Sequence, residues 1–392
     1  MTSTHSDVVI VGAGAAGLSL AWRLLSPPAG IPAPRVALVD APAGSLRPPE
    51  RTWCYWERGT GEYDDLLTAS WGALRVRDSQ GAGPVRGMGA FRYKMLRSPD
   101  FATGLLPRLS GLTRIDAVVT DIEDHEEGAE LTCRRSDGAP LSLRARWVFD
   151  SRPPQAPSSR VGLLQHFRGW FVRTHQPVLH PHVVELMDFR TPQPRLGLSF
   201  GYVLPIGPRE ALVEYTEFSP SALSEPAYED ALRHYTDDIL RLGRFDILAT
   251  EQGAIPMTDA RHHRRAGRHI FRIGAAGGAV RASTGYAFAA IQRQTRAVAD
   301  AFHHGREPVP PPAYPPRHLS MDATLLHGLC SGRISGAPFF SRLFRDVSTE
   351  RLLRFLDGDT QPAEDLLIGL RTPIIPMLRT AAELSLLSRT PH

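Results

Sequence analysis

A strand that runs straight into a glycine turn and then a helix leaves a chain few ways to fold. Val8-Val9-Ile10-Val11-Gly12-Ala13-Gly14-Ala15-Ala16-Gly17, continuing from Leu18 to Leu25, is such a stretch. Gly12 allows the tight turn, Gly14 lets backbone approach a pyrophosphate, and Gly17 lets the helix pack closely on the strand. The free amides at the helix start then point at phosphate. Asp40 closes a second apolar run, Val36 to Val39, where an acid accepts ribose hydroxyls. Strand, turn, helix, strand and acid in this order predict a dinucleotide-binding βαβ unit, without saying which dinucleotide.

Composition narrows the class. With 392 residues and 42% hydrophobic content the chain is globular and long enough for two domains. The excess of 45 Lys+Arg over 41 Asp+Glu is only +4, which gives a nucleic-acid partner little support. Cys54, Cys133 and Cys330 lie far apart, suggesting neither a disulfide framework nor a zinc site and fitting a reducing cytoplasm. The N-terminal apolar run lacks a basic flank and is broken by glycines, so neither a signal peptide nor an anchor is expected. No other stretch approaches a membrane span, so any meeting with lipid is expected from the surface.

Downstream, Ala41 to Arg51 is Pro- and Gly-rich and reads as irregular, leading into the aromatic cluster Trp53-Cys54-Tyr55-Trp56. A strand is predicted over 71–77, a loop over 79–89 and a helix over 101–109. A small antiparallel meander follows over 115–122, 130–134 and 141–149, ending in the abrupt break Asp150-Ser151-Arg152-Pro153-Pro154. An apolar strand ending this way suits backbone facing a ligand, with Asp150 at the cofactor. Strand patterns take over at 163–173, 183–189, 196–205 and 210–218, before one amphipathic helix over 227–242. The basic run Arg261 to Arg265 reads as a solvated turn, and its adjacent His262 and His263 are not read as metal ligands.

A second strand enters glycines at Ile270 to Ala279, with Gly274, Gly277 and Gly278, then Ser283-Thr284-Gly285-Tyr286 and a helix over 287–303. Two such junctions distant in sequence suit a flavin better than a nicotinamide, with the second helix dipole favouring negative charge on the reduced ring. The expected class is therefore α/β with added antiparallel β. It comprises a discontinuous FAD-binding Rossmann-like domain (1–160 plus 266–305) and an inserted β-sheet substrate domain (161–265). A Pro-rich linker (306–316) and a C-terminal helical region (317–392) complete it. Short helices are expected over 339–344, 349–356, 364–370 and 374–387. The last, with Arg379 and Arg389, is expected to pack on the body, with a bilayer surface as the alternative.

These pieces resemble the lycopene cyclases of bacteria and plants, within the larger group of flavoproteins built like glutathione reductase and aromatic hydroxylases. The resemblance covers almost the whole chain. It rests on the fingerprint, Arg51-Thr52-Trp53, the stretch Tyr93 to Phe101, Val148 to Pro153, Gln165 to Trp170 and Tyr202 to Pro205. It continues through Leu212-Val213-Glu214-Tyr215-Thr216, Glu251 to Pro256, Ser283 to Tyr286, Phe355-Leu356-Asp357 and Glu364-Asp365, all in the shared order. The family's catalytic acid aligns with Glu214, while the acid that usually follows it is Tyr215 here. Glu217 is assigned to the opposite face of a regular strand. Glu251, in the family's Glu-x-Gly-x-x-Pro motif, is implied to position flavin or substrate. Where many relatives carry His-Pro, this chain has Arg281-Ala282.

The resemblance implies a redox-neutral ring closure: a positioned acid protonates an end-group alkene of lycopene, the cation closes on the internal alkene, and a proton is lost to give a β-ionone ring. Desolvation keeps such an acid protonated near neutral pH. Reduced FAD, with NADPH as reductant, is implied to stabilise the cation electrostatically. Trp53, Tyr55, Trp56 and Trp170 are read first as core, with cation-facing roles as the alternative and Trp53 and Trp170 as the substrate-binding candidates. Substrate insolubility implies a peripheral position on the inner face of the cell membrane. The competing readings are a monooxygenase or isoprenoid reductase on the same scaffold, a cyclase for another isoprenoid, and a carotenoid-binding protein with a structural flavin.

Overall fold

The computed structural model describes residues 4–44, 47–153 and 158–389. Ser45 and Leu46 of the irregular segment, and Pro154 of the predicted break, lie outside them.

Strand β1 (Thr4–Val11) is apolar on both faces because both are covered: Val8 and Ile10 pack with Leu18 and Leu20 of α1 (Ala15–Leu24), and Val9 and Val11 lie on the other side. Strand β2 (Val36–Asp40) pairs parallel to β1. The chain then leaves this sheet through β3 (Thr52–Arg58), β4 (Ala69–Trp71), β5 (Ala73–Arg77), β6 (Arg86–Gly87) and β7 (Phe91–Arg97). The single strand expected over 71–77 is broken at Gly72. Its two halves join different sheets, β4 with β3 and β7, and β5 with β6 at the edge of the large sheet. Helix α2 (Ser98–Leu105) starts earlier than the sequence suggested, with Pro99 in the first turn, where a missing N–H costs nothing.

The meander forms from β8 (Thr113–Asp124), β9 (Ala129–Arg135) and β10 (Pro140–Asp150). The start of β8 pairs parallel with β2 and the end of β10 pairs parallel with β1, so the meander folds back over the parallel sheet. Leu131, Cys133 and Leu143 pack there on Val9, Val11, Ala37 and Val39.

The second sheet, ordered β15-β11-β14-β13-β12-β5-β6, contains β11 (Gly162–Thr174), β12 (Val183–Asp188), β13 (Leu198–Pro205), β14 (Glu210–Ser219) and β15 (Phe245–Thr258). Between β14 and β15, the predicted single helix is α3 (Glu225–Arg233) followed by a π-helical segment, His234–Ile239. Strand β15 was not legible in the sequence, because as an edge strand it leaves Ile247 and Leu248 exposed and shows no clean alternation. The chain returns through β16 (Ile270–Arg272), parallel to β10, to α4 (Phe288–His303), which packs on α1.

Beyond the prolines lie α5 (Pro316–Cys330), α6 (Gly336–Asp346), α7 (Thr349–Leu356), α8 (Pro362–Gly369) and α9 (Ile374–Leu384). Helix α5 was not foreseen; its first turn begins inside the proline run. Leu326, Phe340, Leu343 and Leu353 of these helices share one core with Leu204, Leu212 and Phe218 of the second sheet. Among the described residues no helix is long and apolar enough to cross a membrane.

Candidate active site

The two glycine segments meet. A side chain at Gly274 would sit 2.9 Å from Cβ of Ala16, and Gln292 of α4 donates to Ser19 of α1 at 2.9 Å. The fingerprint glycines divide their work. Gly12 has φ of +96° and Gly17 has no room for a Cβ, which would lie 1.9 Å from the Gly12 carbonyl oxygen. Gly14 is exposed, and a Cβ there would meet nothing within 4 Å, which leaves the backbone open at the helix start. In the second segment Gly274, Gly278 and Gly285 all have positive φ, and a Cβ on Gly277 would lie 2.5 Å from the Arg272 carbonyl oxygen.

The acids around these turns are already engaged. Asp40 accepts from the Ala13 amide at 3.0 Å and pairs with Arg47 at 2.6 Å, so its ribose-facing role would share a carboxylate with both. Asp150, expected at the cofactor, stands opposite Val11 at the strand end before the fingerprint turn, and Arg152 binds both its carboxylate oxygens, at 3.0 and 2.8 Å. The residue that reaches the fingerprint is Ser151, whose hydroxyl donates to the Val11 carbonyl at 2.6 Å.

The second cluster is built by strand register. Glu214 on β14 sits directly opposite Tyr202 on β13 and Gly169 on β11, and Gly169 sits directly opposite Glu251 on β15. A row Tyr202, Glu214, Gly169, Glu251 therefore crosses one face of the sheet. At Gly169 a Cβ would lie 3.5 Å from Glu251 Cγ and 3.6 Å from Glu214 Cβ, so the two acids flank a position with no side chain. The β3–β7–β4 sheet covers this face with Cys54, Trp56 and Tyr93. Tyr93 hydrogen-bonds Tyr202 at 2.5 Å and Tyr286 at 2.7 Å, and Trp56 meets Tyr286 edge-on at 4.6 Å between centroids.

Burial sets the electrostatics. Glu214 is 7% exposed; burial and then the negative charge of Glu251 push its carboxyl up to about 8, against the opposing hydrogen bond from Thr216. Burial also raises Glu251, while the Thr52 hydroxyl, donating at 2.6 Å, and the Arg97 and Arg51 charges pull it back. Burial pushes the Cys54 thiol up to about 12 and raises Tyr93 and Tyr202, so all three are neutral near pH 7.

Trp53 and Trp170 do not face this cluster. Alternation along β3 turns Trp53 toward Phe288 and Phe101, in the core beside α1, and brings Cys54 and Trp56 to the acid side instead. Trp170 pairs opposite Val213 and is sealed on the far face with Tyr228, Tyr235 and Leu232. Glu217 is also on that face, accepting from Tyr215 at 3.0 Å beside the buried His166. Sequence reasoning missed Gly169, Tyr93, Tyr202 and Tyr286 as one group, because only pairing register brings them together.

The acid row adjoins the second glycine segment. A Cβ on Gly285 would collide with Gln165 Oε1 on β11 at 2.3 Å, and Gln165 Oε1 and Thr284 Oγ1 are buried without hydrogen-bond partners among the described residues. Arg281, the departure noted above, is fully buried, paired to Asp322 of α5 at 3.1 Å and bonded to the Phe355 carbonyl, which ties this segment to the C-terminal helices.

A parallel nucleotide-type sheet joined to a second, mostly antiparallel sheet is a fold this chain shares with solved structures along nearly its whole length. The chain matches a geranylgeranyl bacteriochlorophyll reductase-like protein from Thermoplasma acidophilum with a TM-score of 0.61 at 10% identity, over 98% of this chain and 100% of that one. It matches a flavoprotein/dehydrogenase from Cytophaga hutchinsonii with 0.61 at 12%, over 98% and 99%. The match to p-nitrophenol 4-monooxygenase from Pseudomonas putida gives 0.59 at 14%, over 98% of each chain. No curated protein sequence matches it significantly. The particular family is given by the sequence: the profile described as lycopene cyclase protein matches residues 7–382, and the chain belongs to that family.

Proposed function

We propose that this protein is a lycopene β-cyclase that closes the acyclic end groups of lycopene by acid catalysis without net redox change. The observation that carries the reading is the place of Glu214: a carboxyl buried in a row with Tyr202, Gly169 and Glu251 under the rings of Trp56, Tyr93 and Tyr286, where burial and the Glu251 charge push it up to about 8. Protonating an unactivated alkene needs such an acid within a dry site. The neutral Tyr93, Tyr202 and Tyr286 hydroxyls and the Trp56 ring line the same face and offer electron-rich surfaces to a carbocation without supplying a competing nucleophilic anion. Glu214 gives its proton to the terminal alkene, the ring closes, and the proton lost from the ring returns to a carboxylate.

The residues fit FAD. The open backbone at Gly14 and the α1 start suit its pyrophosphate, and Asp40 its ribose. The second glycine turn, with the unpartnered Thr284 and Gln165 atoms, suits the ring end next to Glu214. Bound and reduced by NADPH, FAD would supply fixed negative charge beside the cation. A hydrophobic carotenoid also implies work at the inner surface of the cell membrane. Leu366, Leu370, Ile374, Ile375 and Leu378 of α8, α9 and their connection are 47% to 66% exposed. Arg371 and Arg379 lie among them, and the acids of these helices are paired with arginines elsewhere. Arg389, by contrast, is tied to Asp259 and unavailable to lipid. Cosedimentation with phosphatidylglycerol vesicles is expected for the wild type and reduced severalfold in Leu370→Ser/Ile375→Ser; unchanged binding refutes this surface.

The direct test of the reading is Glu214→Gln with lycopene, reduced FAD and product analysis. A folded, flavin-loaded variant that still forms rings at the normal rate removes Glu214 from the chemistry. Consumption of NAD(P)H in step with product would mark a reductase or monooxygenase instead.

A further inference from the structure

Glu251, which the family resemblance implies positions flavin or substrate, lies on an edge strand, yet nothing about an edge strand requires a carboxylate turned inward. It lies in register with Gly169 and, beyond it, Glu214. Any side chain at 169 would separate the two: a Cβ there also falls 2.9 Å from Leu212 Cδ1. Thr52 fixes the Glu251 carboxylate from β3 at 2.6 Å, and Arg51 holds the adjoining strand by bonding the Gln252 carbonyl at 2.9 Å.

We propose that Glu251 is the positioning partner of the acid: its carboxylate, anchored by Thr52 across the side-chain-free gap at Gly169, keeps the proton on Glu214. The inference rests on the reading of Glu214 as the acid. The physical cause is that two carboxylates flanking one gap cannot both ionise cheaply, so the better-solvated and better-bonded member carries the charge. Glu251 has the hydroxyl donor and the positive side chains of Arg51 and Arg97 nearby, whereas Glu214 is deeper and has only Thr216. The other titratable groups facing the pair are Cys54 from β3, Tyr93 from β7, Tyr202 from β13 and Tyr286 from the second glycine segment. Burial holds all four neutral across the range in which the pair titrates. Deprotonated Glu251 is thus the one negative charge among the groups named that raises Glu214.

The experiment is an infrared pH titration of the protonated carboxyl band in the flavin-loaded protein, with the band assigned by its loss in Glu214→Gln. In the wild type it is expected to persist to about pH 8. In Glu251→Gln, which keeps an oxygen for Thr52, it should vanish about one pH unit lower, and Glu251→Asp should recover part of the shift. The alkaline limb of kcat/KM should move with it. A Glu251→Gln band that titrates where the wild-type band does overturns the partnership and leaves Glu214 as acid untouched. Retained cyclisation in Glu214→Gln would instead overturn the acid reading, whatever the band does.

Discussion

Glu214 and Glu217 are three residues apart on one strand, both almost fully buried, and they face opposite worlds. Glu217 looks into a polar network under α3: Tyr215 donates to it, and His166 lies 3.9 Å away, itself bonded to Tyr228 at 2.6 Å and Ser219 at 2.7 Å. Glu214 looks at aromatic rings, a thiol and another acid. The difference teaches that burial alone does not make an acid catalyst; the partners on the buried side decide whether a carboxyl is consumed by structure or left with a proton to give.

That contrast is breakable in graded ways. The largest effect is expected from neutralising each acid: Glu214→Gln should lower ring formation by about 100-fold or more, the scale of general acid catalysis. Glu217→Gln should leave it within a few-fold while destabilising the fold by about 1–3 kcal/mol. Product chromatography and denaturant melts separate the two, and equal losses of activity would erase the distinction between the faces. Next, Trp170→Ala empties the far face and should cost about 3–5 kcal/mol of stability. Because Trp170 does not touch the acid row, the alkaline limb of the pH profile of the folded fraction should stay in place.

The last contrast is a pH dependence of stability. Glu214 binds its proton more tightly folded, near 8, than unfolded, near 4.5. Its contribution is therefore complete below about pH 4.5 and is lost as pH rises through about 8. Glutamine is neutral throughout, so the melting temperature of Glu214→Gln relative to wild type should be higher at pH 9 than at pH 5. A gap that does not change with pH would show that Glu214 titrates normally.

Much of the scaffold was legible because it follows from local chemistry. The glycines at 12, 14 and 17, the meander, the β11 to β14 run and the return at Ile270 all carry periodicity or turn signals that survive without tertiary context. What was not legible was solvent-facing, interrupted or masked. Strand β15 has no clean apolar alternation, the strand over 71–77 changes sheets at a single glycine, and α5 hides its start among prolines. At the site, Glu214 is readable from its motif, whereas Trp53 and Trp170 were chosen by residue type. Strand parity turns both tryptophans away from the acid row.

The sequence by itself determined a dinucleotide-type βαβ start, a second glycine turn, the strand run from β11 to β14 and one acid in a family motif, because each of these is encoded within a few neighbouring residues. Only the tertiary structure decided that Glu251, Gly169 and Tyr202 stand in one row with that acid, and that Cys54, Trp56, Tyr93 and Tyr286 cover it. Register and sheet-on-sheet packing place side chains from β3, β7, β11, β13 and β15 within bonding reach, and a one-residue slip in any strand would turn its side chains to the other face.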